Sequence, residues 1–103
     1  MKTAEQGQQI RQGDVLLTPV AELPADAKVR DNQGIRIEGE RTGHAHQLVG
    51  PVAVAEDGRE FVRGGNVLTH QEHEHIATSP EWYEVTVQRE HVPEARTDSR
   101  RFD

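Results

Sequence analysis

Turn-forming residues divide this chain into short segments. Gly, Pro, Asn and Ser recur at residues 32–34, 50–51, 64–66 and 79–80, and no helical period of apolar residues persists for three turns between them. Turn signals at this spacing are typical of short strands. The sequence therefore predicts an all-β domain of about seven or eight short strands, most simply a small barrel or a two-sheet roll.

Three segments carry the strongest strand signals. Residues 15–18 form an apolar run typical of a buried strand, and Pro19 marks its exit because proline cannot donate to a sheet ladder. Asp57-Gly58 lies between two apolar segments and predicts a hairpin over residues 52–63. Residues 82–89 alternate apolar and polar side chains and predict the longest strand.

A chain of 103 residues is expected to form one domain. Residues 1–12 are rich in glutamine and hold one branched aliphatic side chain, Ile10, so we expect a flexible N-terminal lead-in. Residues 13–91 are expected to form the β-barrel domain that binds metal. Residues 92–103 are polar and predict a solvated C-terminal tail.

Composition limits the core. Hydrophobic residues make up 33% of the chain and aromatic residues 4%, so the core is expected to be thin and built mostly from Val, Leu and Ile. A bound metal, assembly into a homo-oligomer, or both would relieve this shortage. We therefore expect a dimer or trimer.

Charge and composition also narrow the partners. A net charge of −6 opposes binding to a phosphate backbone, so nucleic acid is not expected as a partner. No apolar run approaches the ~20 residues of a membrane span, and the first residues lack the apolar core of a signal peptide, so we expect a cytoplasmic protein without a membrane partner. The chain has no cysteine, which leaves nitrogen and oxygen as the ligands for any metal.

Five of the six histidines lie in two short segments, Gly43-His44-Ala45-His46 and residues 70–75. In a strand, residues two apart point to the same face roughly 7 Å apart, so His44 with His46, and His73 with His75, can each direct two rings to one point. Neutral imidazole is a common ligand for zinc and also binds copper, iron and nickel. The alternative is that these histidines are ordinary solvated residues on exposed strands.

The two segments together predict a metal site. Three imidazoles would leave a fourth position of zinc open, which lowers the pKa of bound water towards ~7 and is typical of a catalytic site. Four imidazoles would close the site and indicate structure or storage. The expected metal is Zn²⁺, with Ni²⁺, Fe²⁺, Mn²⁺ and Cu²⁺ as alternatives. The expected ligands are His44, His46, His70 and His73, with His75 in reserve.

Glu72 is the expected catalytic residue. A metal-ligating histidine usually donates its other ring N–H to a carboxylate or similar acceptor, and a carboxylate can also accept a proton during the reaction. Its alternative role is to keep an exposed strand soluble. These assignments predict a zinc enzyme that hydrates or hydrolyses a small substrate, most concretely by hydration of carbon dioxide as in carbonic anhydrases, a lyase activity. The alternative is a non-enzymatic metal-binding module whose ligands come from one or two chains.

Residues 39–46, which end in Gly43-His44-Ala45-His46, resemble the first cupin motif, where glycine precedes a strand carrying H-x-H and a later histidine completes the metal site. This resemblance covers roughly residues 35–88 and implies a metal-binding β-barrel. The chain departs from the motif because no glutamate follows His46 at the usual distance and no P-x-G precedes His70.

A second resemblance covers most of the chain. Residues 12–17, Gly43-His44-Ala45-His46 and His70-Gln71-Glu72-His73 are similar to those of a family of small, uncharacterised bacterial and phage-associated proteins. That resemblance implies no activity.

Overall fold

The computed structural model describes residues 1–39 and 43–88, and within these ranges the regular structure is entirely β. The predicted all-β class is therefore confirmed. The strands of these ranges are β1 (Lys2–Thr3), β2 (Ile10–Gln12), β3 (Val15–Val20), β4 (Lys28–Asp31), β5 (Ile35–Glu38), β6 (Ala45–Leu48), β7 (Val52–Val54), β8 (Glu60–Arg63), β9 (Val67–Leu68), β10 (Ile76–Ala77) and β11 (Trp82–Val87). In the described part of the chain, no helix is long and apolar enough to cross a membrane.

Residues 1–39 and 43–88 contain eleven strands instead of the seven or eight expected for the chain. The difference comes from short or polar strands such as β1, β2 and β4, whose side chains carry little apolar pattern. Such segments become strands because their backbones pair with neighbours, which the sequence pattern does not show.

Six strands form one antiparallel sheet in the order β2-β3-β11-β8-β7-β4. Its centre is the long pairing of β11 with β3, which runs from Trp82 opposite Val20 to Val87 opposite Val15. The predicted hairpin at Asp57-Gly58 is present as β7 and β8, and its turn is closed by a hydrogen bond from the Ala55 amide to the Arg59 carbonyl, 2.9 Å long.

The remaining strands form a second group. β5 pairs antiparallel with β6, while β10 pairs antiparallel with β9 and parallel with β1. Among the described residues, one antiparallel bridge joins the β5–β6 pair to the β1–β10–β9 strands, because the amides and carbonyls of Gln47 and Thr69 exchange hydrogen bonds of 2.9 and 3.0 Å. This bridge places β6 beside the end of β9.

The main core contains buried side chains from both groups of strands, so it lies between two β layers. Its members are Ile10, Val15, Leu17, Val52, Val62 and Tyr83 of the six-stranded sheet, and Ile35, Leu48, Leu68 and Ile76 of the second group. The described strands form an open two-layer roll and do not close into a barrel, since β2 and β4 end the six-stranded order without pairing to each other. Of the two predicted architectures, the roll is the one observed.

A smaller core covers the other face of the six-stranded sheet. Successive residues of a strand point to opposite faces, so Phe61 lies in this second cluster while Val62 lies in the main core. Val20, Leu23 and Trp82 pack against it. The sheet is therefore apolar on both faces along β8.

The predicted end of the first buried strand at Pro19 is wrong. β3 continues to Val20, and Pro19 lies opposite Tyr83 of β11. On the other side of β3, β2 pairs only as far as Leu17, so at Pro19 the strand has one neighbour. A proline is tolerated at such an edge because no partner requires its missing amide hydrogen.

Residues 1–12, for which the sequence predicts a flexible lead-in, contain β1 and β2. The Lys2 amide donates to the His75 carbonyl at 2.9 Å, and β2 pairs with β3. The predicted tail at residues 92–103 and the predicted domain end at residue 91 lie outside the described residues, as do residues 40–42 of the cupin-like motif.

Candidate functional site

The bridge between Gln47 and Thr69 brings the two histidine segments together. His46 lies within β6 and His44 directly precedes that strand, while His70 follows Thr69 immediately. Two segments that are separated by more than twenty residues of chain therefore meet where the two parts of the second layer join.

Four of the five candidate histidines form one cluster of rings. The ring centroids of His46 and His70 lie 4.3 Å apart, and those of His70 and His73 lie 4.5 Å apart. His73 stacks on His46 at 5.8 Å, and His44 meets His70 edge-on at 5.9 Å. Imidazoles that share one zinc ion, with Zn–N bonds of about 2.1 Å, have centroids roughly 5 Å apart, so the distances between these rings are comparable to those around a shared ion.

His75 is separate from this cluster. Its side chain is exposed, and its Nε2 lies 3.2 Å from the backbone carbonyl of His70. No ring contact joins it to the other four histidines within the described residues. The structure therefore brings together the four histidines of the main predicted set and places the reserve residue beside them.

Burial favours the neutral form of the two inner rings. His46 is 1% exposed and His70 is 6% exposed, whereas His73 is exposed. Burial lowers the pKa of His46, and the positive charge of a protonated His70 lowers it further, while Asp14 acts in the opposite direction. Burial also lowers the pKa of His70, assisted by His73 and His44. Neutral imidazole is the form that binds metals.

The sequence analysis did not identify Gln12 and Asp14 as members of the site. Gln12 is 3% exposed, and its Oε1 lies 2.8 Å from Nδ1 of His46. Asp14 Oδ1 lies 3.2 Å from Nε2 of the same ring. The signal that pointed to them was the resemblance of residues 12–17 to the uncharacterised family, which the sequence analysis did not connect to the histidines.

Two glycines, which have no Cβ atom, leave room for the histidine rings. Gly13 has φ of +59°, and a Cβ atom there would lie 2.7 Å from Nε2 of His73 and 3.2 Å from Cε1 of His46. A Cβ atom on Gly39 would lie 3.1 Å from Nε2 of His70. The imidazoles therefore pack directly on backbone, and a side chain at either position would displace them.

Glu72, the predicted catalytic residue, approaches the cluster in two ways. Its Oε1 lies 3.3 Å from Nδ1 of His44, and its backbone amide donates to Nδ1 of His70 at 3.0 Å. The carboxylate is exposed, so it can exchange protons with solvent. Glu72 thus contacts two of the four histidines.

Three features of the cluster fit a metal ion and one does not. The donors are imidazole nitrogens and a carboxylate, and Gly13 and Gly39 leave room around the rings. His44 Nδ1 is buried and makes no hydrogen bond to any described residue, although Glu72 Oε1 lies 3.3 Å away. Against this, no group of three or more His, Asp or Glu side chains among residues 1–39 and 43–88 is arranged so that it could hold an ion. The residue types fit zinc, and ligation requires at least one ring to turn.

A cavity of about 190 Å³, lined by both polar and apolar atoms, lies beside the cluster on the side of His70 and His75. It is lined by Ala45, Gln47, Thr69, His70, Gln71 and His75. Since one water molecule takes about 30 Å³ of liquid volume, the cavity has room for a small molecule and not for a large one.

These features define an all-β protein with a histidine cluster at the junction of two strand groups. The model of a family described as Domain of unknown function (DUF8820) matches residues 11–88, and the chain belongs to this family. The matched segment contains Gln12, Asp14 and the four clustered histidines. Membership of an uncharacterised family, as the sequence predicted, is confirmed. No curated protein and no solved structure matches the chain.

Proposed function

We propose that this protein binds a divalent metal ion, with zinc the first candidate, and uses it to activate water for attack on a small substrate. The observation that supports the proposal is the meeting of four histidine rings from two distant segments, two of them buried. Burying a polar ring costs free energy unless a partner replaces its lost hydration. A metal ion compensates that loss.

The chain's own residues have distinct parts in this proposal. The ligands come from His44, His46, His70 and His73, and Gln12 orients His46 through its Nδ1. When bound, zinc acts as a Lewis acid and lowers the pKa of a coordinated water to about 7. Glu72 lies at the exposed edge of the cluster, where it accepts a proton and passes it to solvent.

The cavity beside His70 favours a small substrate. Hydration of carbon dioxide is the most concrete reaction, because it needs little machinery beyond the activated water and no large binding surface. A small ester or another carbonyl compound is the alternative. A cupin-like arrangement, a cytoplasmic location and assembly into a dimer or trimer belong to the same proposal.

The test uses protein purified without a histidine tag. Metal content by elemental analysis is expected to give one zinc per chain for the wild type and for His75→Ala, and much less for His46→Ala. His75→Ala is the matched control because it removes a histidine that lies outside the ring cluster. Stopped-flow hydration of carbon dioxide should fall with His46→Ala, and His75→Ala serves as the control for metal content alone, because His75 lines the cavity. Zinc-free wild-type protein, or equal rates in all three proteins, would contradict the proposal.

A second function is favoured by the single Gln47–Thr69 bridge that joins β6 to β9. A metal held by His46 together with His70 or His73 would fasten these elements where backbone pairing is sparse. In this non-enzymatic reading, chelation lowers the melting temperature or dissociates an oligomer, and no hydration activity is found. In the enzymatic reading, chelation abolishes activity and leaves the fold largely intact.

A further inference from the structure

The protonation of the His46 ring follows from the hydrogen bonds of Gln12. The Gln12 Nε2 group donates to two backbone carbonyls, of Leu68 at 3.2 Å and of Glu74 at 2.9 Å. That amide end must therefore be the NH₂ group, and Oε1, at 2.8 Å from His46 Nδ1, can only accept. In the neutral ring the hydrogen lies on Nδ1, and Nε2 carries a lone pair.

This lone pair faces a carboxylate. Asp14 Oδ1 lies 3.2 Å from His46 Nε2, and an ionised carboxylate oxygen is also an acceptor. Two such atoms are held together either by a proton, as in an ion pair between protonated His46 and Asp14, or by a metal ion bound to both. Two ligand atoms on one metal, each about 2.1 Å from it and at angles of roughly 90° to 110°, are separated by about 3.0–3.4 Å.

His70 has the opposite arrangement. Its Nδ1 accepts a hydrogen bond from the Glu72 backbone amide at 3.0 Å, so the neutral ring carries its hydrogen on Nε2. Neither nitrogen then offers a free lone pair. A ring in this state is a hydrogen-bond donor through Nε2, and it lies in contact with both His46 and His73.

His73 completes the set of ligands on the same side as Asp14. Its ring is nearly parallel to that of His46, with an interplanar angle of 11°, and its Nε2 approaches Gly13, the residue before Asp14. The side chain is exposed and makes no hydrogen bond within the described part of the chain, so little opposes the rotation that ligation needs.

We propose that the metal is held by Asp14, His46 and His73, and that His70 keeps its hydrogen and acts as a donor beside the ion. The inference rests on the proposed metal-binding function and specifies its ligands. One carboxylate and two imidazoles suit a divalent first-row metal such as zinc or ferrous iron, and three protein ligands leave positions open. Asp14 thereby replaces a third imidazole.

The experiment titrates Co²⁺, a spectroscopic substitute for zinc, into the metal-free full-length protein and five variants, one of which is His46→Ala and should abolish binding. Asp14→Asn and His73→Ala are expected to weaken Co²⁺ binding by at least about 100-fold, beyond the roughly 10- to 100-fold typical of losing a residue that only orients a ligand. His70→Ala should weaken it by less than about 10-fold, and His75→Ala should not change it. Asp14→Asn keeps the side-chain volume, and circular dichroism of each metal-free variant checks its fold.

Nitrogen-15 NMR of the histidine rings provides a measurement that does not depend on variants. The metal-free protein should show His46 with its hydrogen on Nδ1 and His70 with its hydrogen on Nε2. Zinc should shift the Nε2 resonance of His46 and leave both nitrogens of His70 near their metal-free positions. A zinc-induced shift at His70 as large as that at His46 would overturn the assignment.

The outcomes separate the two proposals. If the wild type binds neither Co²⁺ nor Zn²⁺, both the proposed function and this assignment fail. If His46→Ala abolishes binding while Asp14→Asn binds as tightly as the wild type, the metal function stands and the role of Asp14 is wrong. Equal losses in His70→Ala and His73→Ala would return His70 to the ligands and overturn the assignment.

Discussion

The six-stranded sheet and the second group of strands differ in how they are held together. In the sheet, β3 and β11 share six paired positions, and β11 pairs with β8 on its other side. In the second group, β6 meets the end of β9 through one bridge. The sheet contributes Gln12 and Asp14 from its edge, whereas the histidines come from the sparsely paired group. Substitutions in the sheet should therefore change folding, and those in the histidine segments should change binding.

The largest expected effect is in the main core. Leu17 is fully buried between the layers, so Leu17→Ala should lower the free energy of unfolding by about 2–5 kcal/mol. Val49→Ala is the control, because Val49 is 61% exposed and its loss should change stability by no more than about 0.5 kcal/mol. Urea denaturation measures both. Equal midpoints for the two variants would contradict the two-layer core.

Gln12→Ala should have the next largest effect. It leaves the carbonyls of Leu68 and Glu74 and the Nδ1 group of His46 without their partner, at a cost of about 1–3 kcal/mol for buried polar groups. Gln9 is an exposed glutamine in the same segment, and Gln9→Ala should be close to neutral. If both substitutions lower the unfolding free energy equally, Gln12 does not connect the sheet to the histidine segment.

Alanine substitutions at two glycines distinguish the effect of backbone strain from the effect of contact with a histidine ring. Gly13→Ala and Gly7→Ala both place a side chain at positive φ, which costs about 1–2 kcal/mol. Only Gly13 has a histidine ring in its way, since nothing lies within 4 Å of a Cβ atom on Gly7. Both variants should therefore lose stability, and only Gly13→Ala should shift the ring resonances of His46 and His73. Unchanged resonances would show that the rings do not pack on this turn.

The smallest expected effect is the pH dependence of the metal-free protein. The pKa values of His46 and His70 are lowered in the folded state, so below pH ~6.5 the unfolded chain binds more protons than the folded one. The free energy of unfolding should fall as the pH drops from ~7, by at most about 1.4 kcal/mol per pH unit for each ring, and level off below the folded pKa values.

The charged groups that face these rings are Asp14, Glu72, His44 and His73. Replacing His46 by Gln should flatten the pH dependence, whereas His75→Gln should preserve it. Melting temperatures recorded between pH 5 and pH 8 distinguish the two variants. A wild-type melting temperature that rises on acidification would contradict the direction of the pKa shifts.

The sequence predicted those features that depend on local pattern. The all-β class and the hairpin at Asp57-Gly58 follow from turn chemistry and alternation, and both are present. The strand through Pro19 could not be predicted, because it depends on β2 stopping at Leu17 on the facing side. Pairing between segments far apart in the chain decides such cases, and local pattern carries no record of it.

The residues of the candidate site also divide into those that local sequence pattern predicted and those that it did not. The spacing of His44, His46, His70 and His73 indicated one cluster, whereas Gln12 and Asp14 lie at least thirty residues earlier in the chain. A buried glutamine in a strand with one aliphatic residue resembles any polar segment until its partners are known. Metal binding by the cluster stays a prediction.

The position of β11 sets the order in which the site is completed. The hairpin that carries Gln12 and Asp14 joins the rest of its sheet through β11, which lies between β3 and β8 and is the last described strand in the chain. During synthesis all four clustered histidines leave the ribosome before residues 82–87 can dock that hairpin. The imidazoles are therefore synthesised before the strand that holds the hairpin of Gln12 and Asp14 in its sheet.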